Sequence, residues 1–187
     1  MDRSTRQAAI IATAVALPLA LVVALLSFWR FSPGEPTAAP ASPTPGPQAT
    51  TPVTMPAAKL SPRAETLCRA LLSQLPTAVR DRQQRPVTEG TEQNAAYGDP
   101  AITLACGIPA PTFPPTDLVS LFNRVCWHAS ETPEATVLTT VDREVPIQVT
   151  VPKAYEAPAQ WTVVFSKPII ETVPKMPTPP TGCAGSV

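Results

Sequence analysis

Apolar and polar positions change their spacing along this chain, and each change predicts a different element. Ala8 to Trp29 carries no charge over 22 residues. At the helical rise this run spans roughly 33 Å, the thickness of a bilayer's hydrocarbon core, so it predicts a membrane helix. Pro18 is tolerated in a spanning helix as a local kink, and Phe28, Trp29 and Phe31 around Arg30 suit an interfacial anchor.

Beyond residue 59 the spacing becomes that of a folded domain. Ala64, Leu67, Cys68, Leu71, Leu72 and Leu75 recur at three and four residues, which predicts a helix capped by Ser61, opened by Pro62 and ended by Pro76. Tyr97-Gly98-Asp99-Pro100 predicts a turn in which Asp99 accepts local backbone N–H groups. A strand follows, with Ile102, Leu104 and Cys106 on one face, stopped by Gly107 and the prolines after it. Leu118 to Phe122 and Val125 to His128 read as short strands about Asn123-Arg124. Val125 and Trp127 share one face, and Cys126 and His128 the other.

Ala135 to Val141, the turn Asp142-Arg143-Glu144, and Val145 to Val151 predict a hairpin with a charged tip. Pro146 argues for an edge position at the start of its second strand. Ala157 to Val173 fits both periods: Ala157, Trp161, Val164 and Phe165 form a helical stripe, while Trp161, Val163 and Phe165 alternate. With Pro168 breaking the segment, two short helices are predicted. The domain is therefore expected to be α+β, a small, mostly antiparallel sheet packed with helices behind a single N-terminal transmembrane helix and a Pro-rich linker.

Composition separates these parts. Residues 1–31 form a short tip and the anchor. Residues 32–59 are rich in Pro, Thr and Ala, lack the apolar residues for a core, and read as a disordered stalk reaching roughly 85 Å when extended. That composition suits both O-glycosylation and an unmodified spacer. The α+β domain occupies 60–173, and 174–187 is a Pro/Gly-rich tail pinned by Cys183. Arg3, Arg6 and the α-amino group precede the apolar run, which favours a cytoplasmic N-terminus, a single-pass membrane attachment through residues 8–29 and an extracytoplasmic domain. The alternative is secretion after signal cleavage. The run is long for a signal peptide, and Trp29-Arg30-Phe31 stands where small residues are needed.

The formal net charge is +0, and residues from Leu60 onward hold ten basic and twelve acidic side chains, so nucleic acid is not an expected partner. Arg80, Arg82 and Arg85 invite an anion-binding reading, against which stands a solvated connection over Thr77 to Asn94. His128 is the sole histidine and shares a face with Cys126, which suits a nucleophile pair or two metal ligands. Four cysteines outside the cytoplasm more often form two disulfides, so no catalytic, cofactor or metal residue is assigned. Cys68 in the helix stripe and Cys106 on the inner strand face point into one interface. Cys126, opposite Trp127, points outward and is reachable by a segment that wraps the domain. The expected pairs are Cys68 with Cys106 and Cys126 with Cys183.

Four stretches stand out together: Cys68-Arg-Ala-Leu-Leu-Ser-Gln-Leu-Pro76, Ala95-Ala96-Tyr97-Gly98-Asp99-Pro100 running into Leu104-Ala105-Cys106-Gly107, Val125-Cys126-Trp127, and Val141-Asp142-Arg143-Glu144 before a Val-rich strand. In combination they resemble a family of actinobacterial membrane-anchored exported proteins, domain of unknown function 3515 (DUF3515). Departures are Tyr97 for a common tryptophan, Ala105 for arginine and Cys126 for an acid. The resemblance implies architecture and export and carries no activity. The expected function is a noncatalytic envelope binding or structural module for a partner protein or cell-wall component. The alternative is a small exported enzyme acting on an envelope small molecule or glycan through His128 or acidic residues.

Overall fold

The structure, a computed structural model, describes Pro18, residues 20–28, Arg30 and residues 48–183. The chain divides into two units at Gly46 and Pro47. In the first, residues 20–28 are helical and exposed. Much of the expected span from Ala8 to Trp29 lies outside the described residues, and among those described no helix is long and apolar enough to cross a membrane. The stalk from Ser32 to Pro47 also lies outside them, as does the tail after Cys183.

The second unit has its own core, the condition for folding alone. It opens with helix α1 (Pro62–Ser73), capped by the Ser61 hydroxyl, which accepts the Ala64 N–H at 3.2 Å. The strands are β1 (Ala78–Val79), β2 (Arg82–Arg85), β3 (Asn94–Tyr97), β4 (Ile102–Cys106), β5 (Val119–Phe122), β6 (Val125–Glu131), β7 (Ala135–Thr140) and β8 (Ile147–Pro152). Helix α2 (Pro158–Thr162), a 3₁₀ turn (Val163–Phe165) and helix α3 (Ser166–Thr172) follow as one helical run. The strands form one sheet in the order β1-β2-β3-β4-β8-β7-β6-β5, every neighbouring pair antiparallel. The α+β reading therefore holds for the described domain.

One sheet face is apolar and carries the core. Ile102, Leu104, Cys106, Ile147, Val149 and Val151 alternate inward, and Leu138, Val125 and Trp127 continue the layer. Leu67, Cys68 and Leu71 of α1 and Trp161, Phe165 and Ile169 of the later helical run close over it. The Tyr97 and Phe165 rings meet at 5.7 Å. Gly107, where β4 ends, adopts φ +80°, which favours glycine, and a Cβ there would stand 2.3 Å from Leu60 Cδ2 and displace that side-chain tip.

Several expectations are corrected. Thr77 to Asn94 is solvated over most of its length, as expected, but it is not irregular. It forms β1, β2 and the start of β3, with Arg80 (φ 54°) at a tight turn. Its polar residues read as loop because this end of the sheet buries little apolar surface. Pro146 does not put β8 at an edge. β8 lies between β4 and β7, and Pro146 precedes its first ladder residue, so no ladder N–H is lost, while its carbonyl accepts the Gly107 N–H at 2.9 Å. Pro168 does not interrupt the final segment; it sits in the first turn of α3, just after the 3₁₀ turn. The domain also begins earlier than residue 60, because residues 48–59 are docked on it.

Candidate functional site

The strand register creates a polar row on the sheet face opposite the helices. Asn94 pairs with Ala105, Ala105 with Gln148, Gln148 with Thr139, Thr139 with His128, and His128 with Val119. The adjacent row contains Ala96, Thr103, Thr150, Val137 and Ser130. Since side chains alternate across a strand, both rows face away from the core.

Two segments cross this open face and leave a groove between them. The first is residues 48–59, expected as the membrane-distal end of a disordered stalk. Val53 instead makes a parallel bridge to Val87, donating to the Pro86 carbonyl at 2.8 Å and accepting from Thr88 N–H at 3.0 Å. Asn94 Nδ2 donates to Pro56 O (2.9 Å), Gln93 Nε2 to Ala58 O (3.0 Å), and Arg85 Nη2 to Thr51 O (2.7 Å). Gln48 contacts the Asp81 carbonyl and accepts from Gln83 N–H at 2.7 Å. Met55 is buried. Side-chain amides supply bonds a regular strand partner would supply, which explains how a Pro-rich segment docks without a ladder. Hydrophobic periodicity has no sign for this.

The second crossing segment is the proline-rich connection from Gly107 to Leu118. Topology forces its path, because β4 is central and β5 is at the far edge. It carries Phe113 onto the His128 ring, stacked at 4.2 Å and 11°, and Asp117 Oδ2 to within 3.1 Å of His128 Nε2.

The resulting groove has a volume of about 380 Å³, with walls from Met55, Pro56, Ile108 and Pro109 and a floor from Thr103, Gln148 and Thr150. Among the described residues, no charged one lines it. The three floor residues are half-buried. Among the described residues their side chains make no hydrogen bond. The arrangement can offer hydroxyl and amide groups to an uncharged polar ligand; it does not supply an acid, a base or a nucleophile.

The residues singled out by sequence have other work. Cys126 is bonded to Cys183 and is neither a thiol nor a metal ligand. Among the described residues, Asp117 is His128's hydrogen-bond partner, and no hydroxyl or thiol bonds to the imidazole. No group of three metal-ligating side chains occurs among the described residues. Among the described residues, Asp99 accepts no backbone N–H; it faces Arg85 Nη1 at 3.6 Å. The arginine cluster is structural. Arg80 lies 4.3 Å over the Trp161 ring, Arg82 lies 5.6 Å over Tyr155, and Arg85 also donates to Gly98 O at 2.8 Å.

Asp142 and Arg143 are not an exposed tip. Their side chains are 0% and 3% exposed, with Arg143 Nε 3.3 Å from Asp142 Oδ1. Arg143 Nη2 donates to Arg124 O at 2.6 Å and Nη1 lies 3.4 Å from Val173 O. The segment after α3 covers the pair, with Glu144 N–H donating to Pro174 O and Met176 N–H to Asp142 O. Burial pushes the Arg143 pKa below its ordinary value, while Asp142 holds it up. Glu144 alone remains at the surface, where its hydrogen bond with Arg63 (2.9 Å) lowers its own pKa and raises that of Arg63.

The disulfides Cys68–Cys106 and Cys126–Cys183 have Cα separations of 5.6 and 5.7 Å. The first ties α1 to β4 inside the main core. The second fastens the tail over a small outer cluster that includes Val141, Phe113 and Val119.

These features define a disulfide-crosslinked α+β domain, with one antiparallel sheet covered by helices on one face and strapped by extended chain on the other. A family model described as Protein of unknown function (DUF3515) matches residues 15–178, and the chain belongs to that family. No curated protein and no solved structure matches the chain.

Proposed function

We propose that this is a membrane-anchored extracytoplasmic protein, of the actinobacterial kind, whose domain is a noncatalytic envelope binding module. The observation that carries the binding reading is the open-face groove, whose floor presents Thr103, Gln148 and Thr150 without hydrogen-bond partners among the described residues. Half-buried polar groups gain from a ligand that completes their bonds, and a scaffold held by two disulfides presents them in fixed geometry. The uncharged run over residues 8–29 supports the anchor, with residues 1–7 cytoplasmic, and two disulfides suit an oxidising compartment.

The binding test is a titration of residues 47–187 with soluble cell-wall glycan fragments and with envelope-protein peptides, followed by backbone amide resonances. Shifts centred on Thr103, Gln148 and Thr150, abolished by Gln148→Leu, support the groove. Shifts elsewhere, or none with either class, overturn it. A His128→Ala variant that keeps its fold and its ligand yet loses the biological role would replace binding with catalysis. Intact-mass analysis of the membrane fraction tests the anchor: a mature start between Ser32 and Ser42 would make the protein secreted.

A further inference from the structure

A second cavity, of about 520 Å³, lies between the β5–β6 turn and the final helical run. It is built from one helical stripe. Val163, Ser166, Lys167 and Ile170 are spaced at three, four and seven residues, so they share a face, and Arg124 from the turn stands opposite. We propose that this cavity binds a single-chain anionic amphiphile, a carboxylate or phosphate head on an alkyl tail, with the head at Arg124 and Ser166 and the tail along Val163 and Ile170.

Three observations carry the assignment. The Ser166 residue is 3% exposed and its hydroxyl has no hydrogen-bond partner. A buried hydroxyl without a partner is costly, and a ligand oxygen at the cavity would remove that cost. Arg124 is the second observation. Its backbone is fixed in the left-handed region (φ 64°) and its carbonyl accepts from Arg143, yet its guanidinium has no hydrogen bond or ion pair among the described residues. Lys167 and Glu171 pair with each other at 2.5 Å, which leaves Arg124 as the uncompensated charge of the lining. The buried Arg143 adds to this: burial chiefly, and the Arg124 charge in smaller part, push its pKa down, so an anion beside Arg124 relieves a like-charge interaction.

The third observation is apolar. Val163 is 42% exposed on this face, and Ile170 is only partly buried. A cation and a hydroxyl next to uncovered aliphatic surface fit a molecule with a charged end and an apolar end. The volume falls within the range of about 300–1,000 Å³ typical of small-molecule sites. Among the described residues, no aromatic side chain lines the cavity to stack a base or a sugar ring. The site belongs to the helical side of the domain and stands independently of the open-face groove.

The test uses the full chain in nanodiscs of neutral lipid and a photoactivatable decyl phosphate as probe. Label is expected in peptides containing Val163 to Glu171 and Asn123-Arg124, with competition by unlabelled decyl phosphate and decanoate. Decanol and inorganic phosphate, each holding half of the chemistry, should compete at least about tenfold less well. Arg124→Gln should reduce labelling about tenfold and Arg124→Lys should largely restore it. The change is compatible with folding, because Arg143 bonds the backbone of residue 124 and not its side chain. Ser166→Ala should reduce labelling about threefold. Label confined to other segments, equal competition by decanol, or an Arg124→Gln protein labelled like the parent overturns the proposal. Binding of the protein to anionic vesicles without any labelling by the monomeric probe overturns it as well, since that result assigns a bilayer surface.

Discussion

Arg143→Met is the sharpest test of how the domain is held. The substitution leaves Asp142, whose side chain is 0% exposed, as a carboxylate without its counter-ion. Removing one partner of a buried pair costs about 3–5 kcal/mol, most of it the penalty of the stranded charge. A domain of this class is stable by about 5–15 kcal/mol, so roughly a fifth or more of the total is at stake. For a unit of this size the corresponding fall in Tm is about 10 to 20 °C. The contrast lies in the double variant Asp142→Asn/Arg143→Met. It also lacks the Arg143 bonds to the Arg124 and Val173 carbonyls, worth about 1 kcal/mol each, yet it strands no charge. It should therefore be more stable than Arg143→Met by about 2 kcal/mol. Urea unfolding of residues 47–187 with both disulfides intact, followed by near- and far-ultraviolet circular dichroism, measures all three proteins. A double variant no more stable than the single one, or an Arg143→Met midpoint within about 1 kcal/mol of the parent, would refute the account of a buried pair.

Three further outcomes are expected. Tyr97 is fully buried, and its hydroxyl donates to Pro76 O at 2.9 Å; burial raises its pKa above the ordinary 10.0. Its contribution is whole below that value and is lost as pH rises beyond it, so Tyr97→Phe should flatten the alkaline loss of stability in urea midpoints while costing about 1 kcal/mol near neutrality. A parallel decline in both proteins counts against this. Replacing both Cys126 and Cys183 by serine opens a closure of 57 residues, worth about 4 kcal/mol, and should speed hydrogen exchange in 177–183. Unchanged exchange there would show that the tail docks without the bond. Starting the domain at residue 60 in place of 47 removes Met55 and the Arg85 contacts and should cost about 2 kcal/mol or more in the urea midpoint. Equal midpoints would make the strap a passive passenger.

What the sequence made legible was what local periodicity encodes. The stripe of α1, the alternation of β4 and β8, and the opposite facing of Cys126 and Trp127 each depend on residues a few positions apart. The cysteine pairing followed from these directions, because Cys68 and Cys106 enter one interface while Cys126 leaves it. The failures came where the meaning of a residue depends on chain far away. Asp142-Arg143-Glu144 has the composition of a hairpin tip, and Glu144 behaves as one. The other two are buried because residues 173–176 fold over them. Pro146 is compatible with a central strand because it stands one residue outside the ladder, a distinction smaller than the uncertainty of any boundary read from pattern.

The groove was invisible for a related reason. Its floor joins Thr103 on β4 to Gln148 and Thr150 on β8, and those positions meet only because β8 is inserted beside β4 and not beside a sequence neighbour of β4. Each residue alone is an ordinary outward-facing polar position in an alternating strand. The same insertion sends the Gly107 to Leu118 connection across the face, so the topology that aligns the floor also builds one wall. The other wall is the strap, whose docking amides Gln93 and Asn94 sit in a segment that sequence reads as featureless. Floor and walls thus arise together from one topological choice. Changes in the length of the Gly107 to Leu118 connection should therefore reshape the groove while leaving the helix-covered core intact.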